Sequence, residues 1–174
     1  MTLNILIRDE QSADATEITA VTAAAFAPLE ISSHTEHYIV DALRTAGALT
    51  VSLVAERDGR VVGHIAFSPV RPSNASAGWY GLGPVSVAPG LQRQGIGTAL
   101  ITEGLARLRA MGASGCCLAG HPAYYPRFGF SNPSGLSVAG VPPDVFFALS
   151  FNGETPHGEV EFHEAFKATG PSNA

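Results

Sequence analysis

Residues 82–100 read LGPVSVAPGLQRQGIGTAL. This stretch decides the fold: an apolar strand carrying Val85 and Val87, a Pro89-Gly90 corner, a glycine loop, then a helix. Gly95 and Gly97 let the backbone turn and let a ligand approach with no β-carbon in the way. The N–H groups of the loop and the first helical turn have no partner inside the helix, and the macrodipole adds partial positive charge. Together they form an anion site suited to a pyrophosphate, to which Arg93 adds a direct charge. The loop lacks the Gly-Lys-Ser/Thr ending of a nucleotide P-loop, since Thr98 follows Ile96-Gly97. It also lacks the three glycines and distant acidic ribose ligand of a dinucleotide fold. Two glycines alone also make a plain strand-to-helix turn.

Outward from this stretch, Leu3 to Arg8 reads as an opening strand. Ser12 to Ala27 reads as a helix capped by Ser12, with Ile18, Val21 and Ala25 on one face and Pro28 ending it. Ser33 and Glu36 have capping-box spacing, which predicts a second helix from Ser33 toward Gly47. The period then changes to two. Leu49 to Arg57 and Val61 to Phe67 form a hairpin around Asp58-Gly59, and Pro69 to Gly78 is a polar loop. Trp79 to Val87 is a further strand, in which Pro84 removes a ladder donor and so predicts a bulge. A helix from Thr98 to Met111 carries Leu100, Ile101, Leu105 and Leu108 on one stripe. Strands follow at Ser114 to Ala119, Val145 to Phe151 and Glu159 to Phe162.

Composition narrows the class. A chain of 174 residues with 45% hydrophobic content builds a folded core and excludes general disorder. Charged residues are 14%, against roughly 25% in average soluble domains. The ten Lys and Arg are scattered and the net charge is −5, so there is no basic stripe for nucleic acid. No apolar run approaches the roughly 18 residues of a membrane span, and the N-terminus does not read as a signal peptide. Cys116 and Cys117 are adjacent and point to opposite faces of a strand, which disfavours a mutual disulfide and a zinc site. A reduced, cytoplasmic, soluble protein is expected.

A second block, Tyr124-Tyr125-Pro126-Arg127-Phe128-Gly129-Phe130, follows the strand at Ser114 to Ala119. The pair of blocks, Gln92-x-x-Gly95-x-Gly97 and this aromatic run, resembles the acyl-CoA-binding motif and following region of the GNAT N-acetyltransferase superfamily. The wording HPAYYPRFGF is similar to its YhbS-like branch. The resemblance is strong over Leu82 to Phe130 and extends from Leu3 to Phe151. It implies an α/β (α+β) GNAT fold: a mixed central sheet of about six to seven strands, splayed in the middle and flanked by helices. One such domain is expected over residues 1–168, with a flexible tail at 169–174.

The resemblance implies acetyl-CoA, or another acyl-CoA, as co-substrate, a small-molecule or peptide amine as acceptor, and no metal. The backbone of Val85, Ser86 and Val87 would bind the pantetheine arm. Gln92, Arg93, Gln94, Gly95, Ile96, Gly97 and Thr98 would hold the pyrophosphate. Tyr125 stands where many relatives place the general acid, four residues before Gly129, and Tyr124 is the fallback. A phenol, with an ordinary pKa near ~10, is protonated at neutral pH and can donate to a departing thiolate. Many relatives carry an Asn early in the helix after this strand. Here Gly120-His121-Pro122 stands instead, so that helix should be short.

The general base is open among Glu30, Glu36, His64, His121 and water. His34 and His37 lie three apart, as a solvated face or half a metal site. Monomer and homodimer are both allowed. The alternatives to an N-acyltransferase are a CoA-binding sensor on the same fold and an anion-binding structural protein.

Overall fold

The computed structural model describes residues 4–74 and 76–171. The start of the predicted opening strand at Leu3 and the tail residues 172–174 lie outside them. The elements run β1 (Leu6–Asp9), α1 (Ala15–Phe26), α2 (Glu36–Thr45), β2 (Val51–Arg57), β3 (Arg60–Pro72), β4 (Trp79–Val87), α3 (Ile96–Ala110), β5 (Gly115–Ala119), β6 (Leu136–Ser137), β7 (Phe146–Ser150) and β8 (Gly158–Phe162). They form a mixed eight-stranded sheet in the order β1-β2-β3-β4-β5-β7, with β8 pairing β3 and β6. β4 and β5 run parallel, which α3 makes possible by crossing over between them.

Alternation along the strands sorts side chains onto two faces. On β2, Leu53 joins the cluster under α3, where Leu100, Ile101, Leu105 and Leu108 are all but fully buried. Its neighbour Val54 packs with Ile18 of α1 and Val40 of α2 on the opposite face. On β5, Cys116 enters the α3 cluster while Cys117 packs with Val70, Trp79 and Phe146. Each buried leucine contributes about 1.5–3 kcal/mol against its exposed state.

Several boundaries differ from the sequence reading. Ser12 opens a short 3-10 turn instead of capping α1, and Asp14 accepts the Gln11 N–H at 2.7 Å. The Ser33–Glu36 capping box does not form: α2 starts at Glu36, because His34 at φ 59° breaks the run, and Glu36 accepts from Ser32 Oγ at 2.6 Å. The exit at Gly47 is as expected, with Gly47 N–H donating to Arg44 O and Ala48 N–H to Leu43 O. β3 extends through Val70, Arg71 and Pro72, predicted as loop, because β8 pairs with it there. The two residues of β6, Leu136 and Ser137, are too few to show a strand periodicity.

The splay is visible in the pairing. β4 pairs with β5 only at Trp79, Tyr80 and Gly81, then leaves it. On its other side the register with β3 slips between Ile65 and Phe67, opposite Gly83-Pro84, where the bulge is expected.

Candidate active site

The opening beside β4 is lined by backbone. Ala88 N–H donates to Val62 O at 2.8 Å, so in this antiparallel ladder Ser86 exchanges bonds with His64 across β3. By the same alternation, the N–H and C=O groups of Val85 and Val87 point away from β3, into the splay. The Val87 carbonyl already accepts from Gln92 Nε2 at 3.0 Å, which ties the loop to the strand. The Ser86 side chain faces α1, with its hydroxyl 3.2 Å from that of Thr22.

α3 begins at Ile96, two residues before the predicted start. Gly95 at φ 92° takes the left-handed conformation that sets its first turn. The first intrahelical bond runs from Ala99 N–H to Gly95 O. The N–H groups of Ile96, Gly97 and Thr98 therefore precede the helical ladder at its positive end.

Strand, loop and helix border a cleft of about 630 Å³. Val85, Ser86, Val87, Gln92, Arg93, Gly95, Gly97 and Thr98 line it, as does Tyr124. Gln94 faces solvent, and the Ile96 side chain is buried in the α3 core. Residues the sequence reading did not assign to the site complete the walls: Ala25 and Phe26 in the last turn of α1, Leu29 just beyond it, and Ile101. Their only sequence signal is an apolar helix face, which a core position shares.

The two tyrosines are separated by the fold. Residues Tyr125–Phe128 form a 3-10 turn, the shortened helix expected after Pro122. Tyr124 reaches the cleft, with its hydroxyl 3.1 Å from Thr98 Oγ1. Arg127, also in the lining, donates Nε to Tyr124 O at 2.9 Å and stacks its guanidinium 4.4 Å over the Tyr124 ring. Tyr125 sits behind, packed among Phe128, Phe130 and Phe147. Burial, with smaller contributions from Tyr124 and Cys116, pushes its phenol up to about 12.

The base candidates lie apart from the cleft, and no Asp, Glu or His is among its described lining residues. His64 is fully buried, and burial pushes it down to about 4, more than offsetting the nearby Glu10 carboxylate. Its Nε2 pairs with Ser52 Oγ at 2.8 Å. Ser52 in turn donates to Glu10, so the His64 proton sits on Nε2 and Nδ1 is left without a partner. His121 Nδ1 accepts from Ala123 N–H in the turn before the tyrosines, and Glu30 is exposed. His34 Nε2 meets Leu29 O and His37 stacks on Tyr38, and no group of three or more potential metal ligands exists among the described residues.

The family profile described as "Acetyltransferase (GNAT) family" matches residues 16–130. The Escherichia coli K12 protein named "Uncharacterized N-acetyltransferase YhbS" is 35% identical over 171 residues, covering 93% of this chain and 98% of its own. A GNAT family acetyltransferase from Brucella melitensis, solved in complex with acetyl-CoA, superposes with a TM-score of 0.85 at 53% identity, covering 94% of this chain and 98% of that one. The Escherichia coli YhbS structure in complex with CoA gives a TM-score of 0.86 at 34% identity, covering 98% and 96%.

Proposed function

This chain belongs to the GNAT acetyltransferase family, and from that premise we propose that it transfers the acetyl group of acetyl-CoA to a primary amine by direct attack. The observation that carries the reading is the joining of one cleft from the outward-facing backbone of Val85 and Val87, the free N–H groups at the start of α3, and the Tyr124 hydroxyl.

In this reading the pyrophosphate rests on the loop from Gln92 to Thr98, held by N–H groups and the helix dipole, with Arg93 beside it. The pantetheine arm lies along β4 as an added strand. There it uses the backbone groups of Val85 and the Val87 N–H, since Gln92 occupies the Val87 carbonyl. The thioester enters where β4 leaves β5. The amine nitrogen attacks the acetyl carbon, a tetrahedral intermediate forms, and its collapse breaks the C–S bond. The leaving thiolate takes a proton from the tyrosine pair. Tyr124 is the donor we assign, because its hydroxyl borders the cleft whereas Tyr125 is packed behind it. With no acidic or imidazole side chain in the described lining, the proton of the amine leaves through water.

Calorimetric titration with acetyl-CoA, using ATP and NAD as controls, tests the donor half of this reading without knowledge of the acceptor. Selective micromolar binding supports it. Absence of binding, or equal binding of ATP, reduces the loop to a structural turn.

A further inference from the structure

Arg127 is exposed at the wall of the acyl cleft and forms no ion pair with an Asp or Glu among the described residues. Its guanidinium is committed instead to Tyr124. Nε donates to the Tyr124 carbonyl at 2.9 Å, and Cζ lies 4.4 Å from the centroid of the Tyr124 ring. Local geometry accounts for the pairing. Residues Tyr125–Phe128 form a 3-10 turn, and at three residues per turn a side chain stands over the one three positions earlier.

Other groups fix the same ring. The rings of Tyr125 and Phe128 stand at 83° and 72° to it, with centroids 5.2 and 5.3 Å away. Thr98 Oγ1 meets its hydroxyl at 3.1 Å. The phenol is thus held at its ring and at its oxygen, and the cation in contact with it is Arg127.

We propose that Arg127 is a positioning residue for proton donation: it clamps Tyr124 at the cleft wall, and its charge favours the phenolate left behind once the proton has gone. This rests on the assignment of Tyr124 as the donor. In the step concerned, the Tyr124 O–H bond breaks and its proton forms an S–H bond on the CoA thiolate. The negative charge left on the oxygen spreads into the ring that the guanidinium covers, and solvent later returns a proton. Before the step the guanidinium is attracted only by the quadrupole of the ring; after it, by a full negative charge. An interaction that strengthens toward the transition state raises the rate of the chemical step. Arg127 acts through Tyr124, without touching the reacting atoms.

The test is a double-mutant cycle on CoA release, with acetyl-CoA as donor and hydroxylamine as acceptor. Hydroxylamine is uncharged at neutral pH, so the rate reads protonation of the leaving group without the need of a base. Arg127→Gln is expected to lower kcat about fivefold or more in the native background. In the Tyr124→Phe background the same change is expected to cost less than about twofold, because no phenol proton remains to be assisted. Arg127→Lys, which keeps the charge but not the planar fork, is expected to fall between Arg127→Gln and the native protein. Acetyl-CoA affinity, read by calorimetry, is expected to stay within about threefold in each Arg127 variant. Equal losses in the two backgrounds, or a lysine variant no better than the glutamine one, overturns the proposal. So does a loss of about tenfold or more in acetyl-CoA affinity with kcat unchanged, which would make Arg127 a phosphate contact. If the native protein releases no CoA above the uncatalysed rate, or if Tyr124→Phe leaves kcat unchanged, the donor reading fails and this role with it. A Tyr124 effect accompanied by additive Arg127 losses removes Arg127 alone.

Discussion

The hydroxyls of Thr98 and Tyr124 lie 3.1 Å apart, joining the first turn of α3 to the segment that follows β5. Those two elements flank the splay, so this contact closes one side of the cleft. It also has a chemical consequence. When the Tyr124 proton goes to a thiolate, Thr98 can turn its own hydroxyl hydrogen toward the Tyr124 oxygen and stabilise the developing charge. Tyr124→Phe is therefore expected to lower kcat by about 10²-fold while leaving acetyl-CoA affinity nearly unchanged. Tyr125→Phe, behind the cleft wall, is expected to change kcat by less than about tenfold. Steady-state kinetics on both variants decide the matter, and the reverse ranking would move the proton donor to Tyr125.

The pyrophosphate assignment rests on charge at Gly95, where a β-carbon meets no atom within 4 Å but φ is +92°. Asp and Asn both tolerate this backbone region and have nearly the same shape. Gly95→Asp places a negative charge at the anion site and is expected to weaken acetyl-CoA binding at least about tenfold more than Gly95→Asn. Calorimetry on the two variants separates charge from strain. Equal losses would mean that the loop holds no phosphate.

Legibility in the sequence followed locality. The run from Leu82 to Leu100 announced strand, corner, loop and helix because each step is written in adjacent residues. The residue pattern puts the start of α3 two residues late, since Gly97 reads as loop even though Gly95 alone sets the first turn. β3 reads as ending at Phe67 because Pro69 and Pro72 act as punctuation, while the partner that extends the strand, β8, lies about ninety residues further on. The cleft wall of Ala25, Phe26 and Leu29 had no signal of its own. An apolar face at the end of α1 looks the same in sequence whether it meets a core or a ligand. The separation of Tyr124 from Tyr125 likewise depends on the 3-10 turn that begins at Tyr125.

Cys116 and Cys117 are both fully buried and free, on opposite faces of β5. Burial pushes the Cys117 thiol up to about 12 and raises Cys116 well above its ordinary value. The thiolate is the reactive form, so neither should react in the native state. A chromogenic disulfide reagent at pH 8 is expected to titrate less than about a tenth of the two thiols before unfolding and both of them in guanidinium. Rapid reaction of the native protein would show that β5 opens locally, and would weaken the description of Cys116 as part of the α3 core.

His64 makes the fold sensitive to acid above the range in which carboxylates act. Its environment consists of the Ser52 hydroxyl, the Glu10 carboxylate 3.7 Å from Nε2, and the longer-range charges of Arg44 and Asp14. Burial dominates, lowering the folded value to about 4 from an ordinary 6.5. Above pH 6.5 both folded and unfolded chains hold the ring neutral, and this group adds nothing to the pH dependence. As pH falls below 6.5 the unfolded chain takes up a proton that the folded chain refuses, so stability declines until protonation of the folded form near pH 4. By pH 4.5 the loss amounts to roughly 2–3 kcal/mol. Glu10, where burial is outweighed by Arg44 and Ser52, and Asp14, held down by Arg8, add their own losses as pH falls through their ordinary values of 4.5 and 3.8 and on toward their lowered ones. Urea unfolding at intervals between pH 7 and 4.5 measures the His64 component. His64→Asn, whatever it costs at neutral pH, is expected to flatten the slope in that window. An unchanged slope in the variant would mean that the acid sensitivity arises elsewhere.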